Sequence, residues 1–172
     1  RSIRAVARNL RPSLLDDLGL LPALRALGGD FAGKMGIPVT INAPDTIPIL
    51  SSAAELALFR ALQEALSNVA RHSEASAVEV DLSYDGIELT LAVRDDGRGP
   101  PADDLDTLAD GRMGLAGMRE RALALGGSVE LEGREQEGTM LRVRIPVSDL
   151  ESGSGFEADR SPDRIDQQET KG

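Results

Sequence analysis

The sequence predicts an α+β fold, a two-layer α/β sandwich with a mixed, mostly antiparallel sheet, and not a doubly wound parallel one. Three observations predict it. Apolar residues recur at helical spacing over 3–21 and 58–69; two pairs of strand-like runs read as hairpins; and the helices stand apart from the paired strands instead of alternating with them.

Ile3, Val6, Leu10, Leu14, Leu18 and Leu21 predict helix over residues 1 to about 35, with a kink or restart near Pro12 and Gly19. Gly33, Gly36 and Pro38 end it. Val39-Thr40-Ile41 then reads as a short strand and Ala43 to Pro48 as a connector. Ser52 and Glu55 have capping-box spacing, opening a helix whose core face is Leu58, Phe59, Leu62, Ala65, Leu66 and Val69 and which runs to about His72. VEVDLSY (78–84) and IELTLAV (87–93) both alternate, and Asp85-Gly86 between them predicts a two-residue hairpin turn. Arg94 to Arg112, rich in Gly, Pro and Asp, reads as a long loop of the kind that is functional or disordered. Leu115 to Leu125 reads as a helix stopped by Gly126-Gly127. Ser128 to Glu132 and Thr139 to Pro146 pair around Gly133–Gly138. From Glu151 onward, six acids, three bases and one aromatic (Phe156) predict a disordered tail.

Composition narrows the chemistry. The 172 residues carry a formal charge of −10, which argues against a nucleic-acid polymer as partner. There is no cysteine, so disulfides and thiolate metal sites are excluded, and the single histidine, His72, rules out a histidine-rich cluster. No apolar run approaches the roughly 20 residues of a membrane span. The first residue is Arg1 and no secretory pattern follows, so the chain reads as an internal fragment of something longer.

Four features carry chemistry. Glu64, Asn68 and His72 fall four residues apart along one helix stripe beside the core face. A carboxylate and an amide oxygen there suit Mg²⁺, although a solvated helix edge would show the same pattern. Asp95-Asp96-Gly97-Arg98-Gly99 follows a strand. Asp95 can accept from an exocyclic amine, and Gly97 and Gly99 allow close backbone approach; an ordinary turn has the same residues. Gly114 precedes a helix and Gly117 lies in its first turn, an arrangement that exposes amides to phosphate but is also common without any ligand. Gly138-Thr139 opens the last strand, where a hydroxyl could support Asp95 or simply follow a hairpin turn. Each feature alone is weak; their order and spacing are specific.

LQEALSNVARHSEAS, VRDDGRG, MGLAGMRERALALGG and EGT, in that order, resemble the N, G1, G2 and Gly-Thr motifs of the ATP-binding domain of sensor histidine kinases. This is the Bergerat (GHKL) fold, shared with DNA gyrase B, Hsp90 and MutL. NLRPSLLDDLGLLPALRAL is similar to the second dimerisation helix of the nitrate-sensor-type subfamily, whose response regulators are NarL-like, and GMRERA is typical of that group. The resemblance spans about residues 1–147. It implies three regions: a second dimerisation helix at 1–35, an ATP-binding catalytic domain at 36–148, and the acidic tail at 149–172. It also implies ATP and Mg²⁺ as cofactors. Asn68 and Glu64 would be metal ligands, with Glu64 also the candidate catalytic carboxylate, and Arg71 and His72 would lie near the phosphates. Asp95 would read the adenine amino group above Gly97 and Gly99, with Thr139 in support. Pro100 to Met113 would form the ATP lid, and Gly114, Leu115 and Gly117 would meet the phosphate chain. Arg112 stands where the family often has a lid glycine. The phosphoaccepting histidine belongs on a first dimerisation helix that these residues do not contain.

The resemblance therefore implies a cytoplasmic protein-histidine kinase part. It would transfer the γ-phosphoryl of ATP to a histidine outside this chain and thence to a response regulator. The complete protein would be a homodimer, with this fragment monomeric. Two alternatives stand beside it: a gyrase/Hsp90-like ATPase with Glu64 as general base, and a nucleotide-dependent interaction module of the anti-sigma-factor-kinase kind.

Overall fold

The computed structural model describes residues 12–99 and 115–147, apart from the side chains of His72 and Ser73. Residues 1–11, the expected lid at 100–113, Gly114 and the expected tail at 149–172 lie outside the described residues.

Two helices open the described chain, α1 at Ser13–Leu18 and α2 at Leu20–Met35. The restart falls at Gly19, whose φ of +79° a β-carbon would disfavour. Gly36, in the left-handed region, caps α2 by donating its N–H to the Ala32 carbonyl. Strand β1 is Val39–Asn42. Helix α3 spans Ser52–Asn68 and runs on into a π-helical turn, Val69–Ser73. Strands β2 (Val78–Tyr84) and β3 (Glu88–Asp95) precede the undescribed segment; helix α4 (Leu115–Ala124), β4 (Ser128–Arg134) and β5 (Gly138–Pro146) follow it.

Two sequence expectations move by one residue. The α3 N-cap is Ser51, not Ser52: the Ser51 hydroxyl accepts from the Ala54 amide at 3.1 Å, while its carbonyl takes the Glu55 amide. Ser51→Ala should therefore destabilise the domain by about 1 kcal/mol, read from the midpoint of urea unfolding. The β2–β3 turn centres on Gly86-Ile87 instead of Asp85-Gly86, because the Asp85 amide bonds the Glu88 carbonyl. Asp85 instead holds the turn from its flank, its Oδ1 accepting from the amides of Ile87 and Glu88 at 2.8 Å each.

The sheet order is β1-β2-β3-β5-β4, with β1 parallel to β2 and every other pair antiparallel. Helix α2 packs on β1, α3 on β3 and β5, and α4 on β4 and β5, so all three cover one sheet face. This is the expected two-layer sandwich. Strand alternation explains it: Val78, Val80 and Leu82, then Leu89, Leu91 and Val93, then Leu141, Val143 and Ile145 point under the helices. Leu58 and Leu62 of α3 and Leu24 of α2 complete the same core. The other face is charged and open. There Arg142 and Arg144 reach Glu130 at 3.3 and 2.9 Å, and the Asn42 amide donates to Asp81 at 2.8 Å.

Candidate functional site

Register brings Asp95 and Thr139 together at one end of the sheet. Asp95, the last residue of β3, is flanked by Val78 at the start of β2 and by Thr139 at the start of β5. The chain reaches Val78 directly from the end of α3, so Glu64 and Asn68 belong to the helix that delivers the strand beside Asp95.

Asp95 is the single buried charged or polar residue among those described, with 8 % of its surface exposed. Its Oδ1 accepts from the Gly97 amide at 3.0 Å. Burial raises its pKa above the ordinary carboxylate value, an effect that the amides of Gly97 and Thr139 oppose by favouring the charged form. Thr139 thus acts on Asp95 through its backbone N–H. A buried carboxylate held by two amides keeps its remaining lone pairs directed and ready to accept from a donor.

The glycines of this corner are fixed by protein backbone. A β-carbon on Gly99, at φ +66°, would lie 2.1 Å from the Arg134 carbonyl oxygen. One on Gly138, at φ +89°, would lie 2.0 Å from that of Asp95. The Gln136 amide also donates to the Arg98 carbonyl at 2.5 Å. The turn after β3 and the β4–β5 turn are therefore pressed together at a separation only glycine permits. This packing forms the corner that holds Asp95.

Glu64 and Asn68 sit one turn apart on α3, both half-buried. Their carboxylate and amide oxygens are hard donors. Two such donors fit Mg²⁺, which retains water and shares its remaining positions with phosphate oxygens. The α-geometry that relates Glu64 to Asn68 ends there: Arg71 and His72 fall in the π-helical turn, and Arg71 is exposed. Such turns are frequent at functional sites. Leu115, buried, begins α4, and Gly117 is half-buried in its first turn. Gly114 is among the residues not described.

Sequence reasoning missed Asp96. Its Oδ1 accepts from the amides of Ser76 and Ala77 at 2.8 and 3.0 Å, and its Oδ2 from the Ser76 hydroxyl. The Ser76 hydroxyl, with the Ala77 and Ser76 amides, holds the Asp96 carboxyl below the ordinary range. Arg98 adds an exposed ion pair to Glu74 at 3.1 Å. Nothing local marks this pairing, because the partners lie about twenty residues apart; the only signal is a second acid in a DDG run, which the turn itself explains.

Residues 53–149 match the family described as histidine kinase-, DNA gyrase B-, and HSP90-like ATPase. The chain is 38 % identical over 151 residues to the sensor histidine kinase LiaS of Bacillus subtilis, covering 88 % of this chain and 41 % of that protein. It is 33 % identical over 146 residues to the histidine-protein kinase/phosphatase DegS of Brevibacillus brevis (85 % and 37 %). It is also 33 % identical over 147 residues to the oxygen sensor histidine kinase NreB of Staphylococcus carnosus (86 % and 42 %). The chain thus spans about two fifths of the length of these relatives. Among solved structures, the blue-light activated histidine kinase of Erythrobacter litoralis superposes with a TM-score of 0.60 at 27 % identity, over 73 % of this chain and 44 % of that one. A structure of its histidine kinase domain superposes at 0.62 and 22 % identity, over 75 % and 65 %, showing the same fold.

Proposed function

The chain belongs to the histidine kinase-, DNA gyrase B- and HSP90-like ATPase family, and from that premise we propose that it is the ATP-binding catalytic part of a two-component sensor histidine kinase. It binds Mg-ATP and passes the γ-phosphoryl to a histidine on a dimerisation domain outside this chain, from which a response regulator receives it. One observation supports the reading: the buried Asp95 carboxylate ends β3 beside the first residue of β2, the strand that follows the helix carrying Glu64 and Asn68.

Each residue has a role in that reading. Asp95 accepts a hydrogen bond from the adenine amino group. Gly97 and Thr139 orient its carboxylate, and the Gly99–Gly138 packing shapes the pocket floor. Asn68 and Glu64 would hold Mg²⁺, which would neutralise charge on the phosphate chain. Arg71, Leu115 and Gly117 would meet the phosphates, as would Gly114 and the His72 side chain, which lie outside the described residues. Phosphoryl transfer asks mainly for positioning and charge stabilisation, so the residues need to hold and orient more than to react. The reading takes the 1–35 segment as the second dimerisation helix, of which residues 1–11 lie outside the described residues. Packing of Leu20, Ala23 and Leu24 into the shared core supports a firm connection from there to the 36–148 region. In this reading the catalytic region is cytoplasmic, whether or not the complete protein is anchored to a membrane, and the complete protein is a homodimer. Among the described residues no helix is long and apolar enough to cross a membrane.

The test is transfer in trans. The chain, incubated with γ-labelled Mg-ATP and a histidine-bearing dimerisation domain, should yield an acid-labile, base-stable phosphohistidine. Asn68→Ala should lower the rate by about 100-fold or more with the fold intact, in line with the loss of one transition-state charge stabiliser. Equal transfer by the variant contradicts the assignment. Release of free phosphate without label on the acceptor, abolished by Glu64→Ala, would favour hydrolysis instead.

A further inference from the structure

The proposed site is made of two halves that no backbone ladder joins side by side. Asp95 belongs to the sheet, at the end of β3, whereas Glu64 and Asn68 belong to a helix. Between the end of α3 and the first residue of β2 run nine residues, 69–77. They start as a π-helical turn and pass through Glu74 in the left-handed region at φ +51°. Neither conformation is a deep backbone minimum for ordinary residues, so this connection needs outside support to hold one geometry.

That support comes from the residues that follow Asp95. Asp96 takes hydrogen bonds from three donors on Ser76 and Ala77, the last two residues of the connection. Arg98 pairs with Glu74 three residues before Ala77. Charge-assisted hydrogen bonds from amides to a carboxylate are stronger than neutral ones, and three on one group define its orientation. Asp95 is the buried last residue of β3, and Asp96, directly after the strand, is exposed. One is directed into the buried corner while the other grips the helix connection.

We propose that Asp96, acting through Ser76, is a positioning residue that sets the metal-binding end of α3 against the adenine-reading corner. The proposal rests on the nucleotide reading above and adds a residue to it. Asp96 does not touch the nucleotide; it fixes the spacing between Asp95 and Asn68, which have to engage opposite ends of one ligand. Loss of the grip loosens the 69–77 connection and with it Asn68, while Asp95 stays held by β2, β5 and its two amides. The defect is therefore confined to the metal-dependent part of binding.

Calorimetric titration of the chain with ATP, once in excess Mg²⁺ and once in EDTA, separates the two parts. Asp96→Ala should bind about tenfold more weakly in Mg²⁺, the lower end of what loss of an outer-shell partner costs, and within about twofold of wild type in EDTA. Asp96→Asn retains an oxygen for the Ser76 and Ala77 amides and should stay within about threefold in both conditions. Should Asp96→Ala fail to fold, Ser76→Ala removes one of the three donors and should weaken Mg²⁺-dependent binding alone by about threefold. Equal weakening in Mg²⁺ and EDTA, or none in either, overturns the positioning role. Wild type that binds no ATP at all overturns the nucleotide reading itself, a result distinct from a wild type that binds and an Asp96 variant that matches it.

Discussion

Replacing Gly138 by alanine is expected to unfold the domain or leave it barely folded. The added β-carbon would sit 2.0 Å from the Asp95 carbonyl oxygen and 3.2 Å from the Asp96 α-carbon. Both are backbone atoms where β3 ends against β5, so neither can swing aside as a long side chain would. Alanine also resists φ of +89°. Together the strain and the forced separation of β3 from β5 should cost about 4 kcal/mol or more, against a total stability of roughly 5–15 kcal/mol for a domain. Urea unfolding would report a collapsed midpoint or no transition. Gly29 supplies the control: it lies inside α2 with nothing within 4 Å of its β-carbon position, and Gly29→Ala should be neutral or stabilising by up to about 1 kcal/mol. A Gly138→Ala protein with a wild-type midpoint would contradict the described packing of this corner.

Asp95→Asn should separate binding from folding. In the wild type, burial raises the Asp95 pKa, so ionising this group costs folding free energy. A raised native pKa means that the folded form holds its proton more tightly than the unfolded one. The contribution to stability is present at acid pH and is lost as pH rises through the native pKa. The neutral amide carries no such cost, and Asp95→Asn should be at least as stable as wild type at neutral pH. Binding moves the other way. The asparagine oxygen satisfies the amides of Gly97 and Thr139, which turns its NH₂ toward the site. A ligand amine then meets a donor instead of an acceptor, and affinity for ATP should fall about 100-fold. The pH dependence follows from the same shift. Wild-type affinity should drop on acidification at a higher pH than an ordinary carboxylate would give, and the variant should show no drop over that range. A less stable variant with unchanged affinity would remove Asp95 from the adenine contact.

Much of this domain is legible in its sequence because its regular elements carry clean periods. Strands β2 and β3 alternate without interruption, and α3 keeps Leu58, Leu62, Ala65 and Leu66 on one face, so both layers and both hairpins follow from pattern alone. Asp95 was legible because an acid ending an alternating strand before two glycines is a short local signal. What was not legible depends on contacts distant in sequence. Ser76 and Asp96 are twenty residues apart and neither looks unusual alone. The need for glycine at 99 and 138 arises from two turns pressing on each other, which no local preference encodes. The shift of the α3 cap to Ser51 is a choice between adjacent serines of equal capping ability, decided by which carbonyl receives the Glu55 amide. The π-helical turn is similarly hidden: Val69–Ser73 continues the helical pattern, and only the extra residue in the turn shows that α-geometry stops at Asn68.

In the proposed reading this chain holds an adenine nucleotide through Asp95. Adenine presents an amino group where guanine presents a carbonyl oxygen, so a carboxylate acceptor distinguishes the two by attraction against repulsion. The most direct measurement is therefore the ratio of ATP to GTP affinity for wild type and Asp95→Asn, taken by calorimetric titration in Mg²⁺ with unfolding curves alongside. Wild type should prefer ATP by about 100-fold or more, and the ratio should fall to within about tenfold in a variant that remains folded, since donor and acceptor roles are then exchanged. Equal binding of ATP and GTP by wild type, or a ratio unchanged in Asp95→Asn, would contradict it.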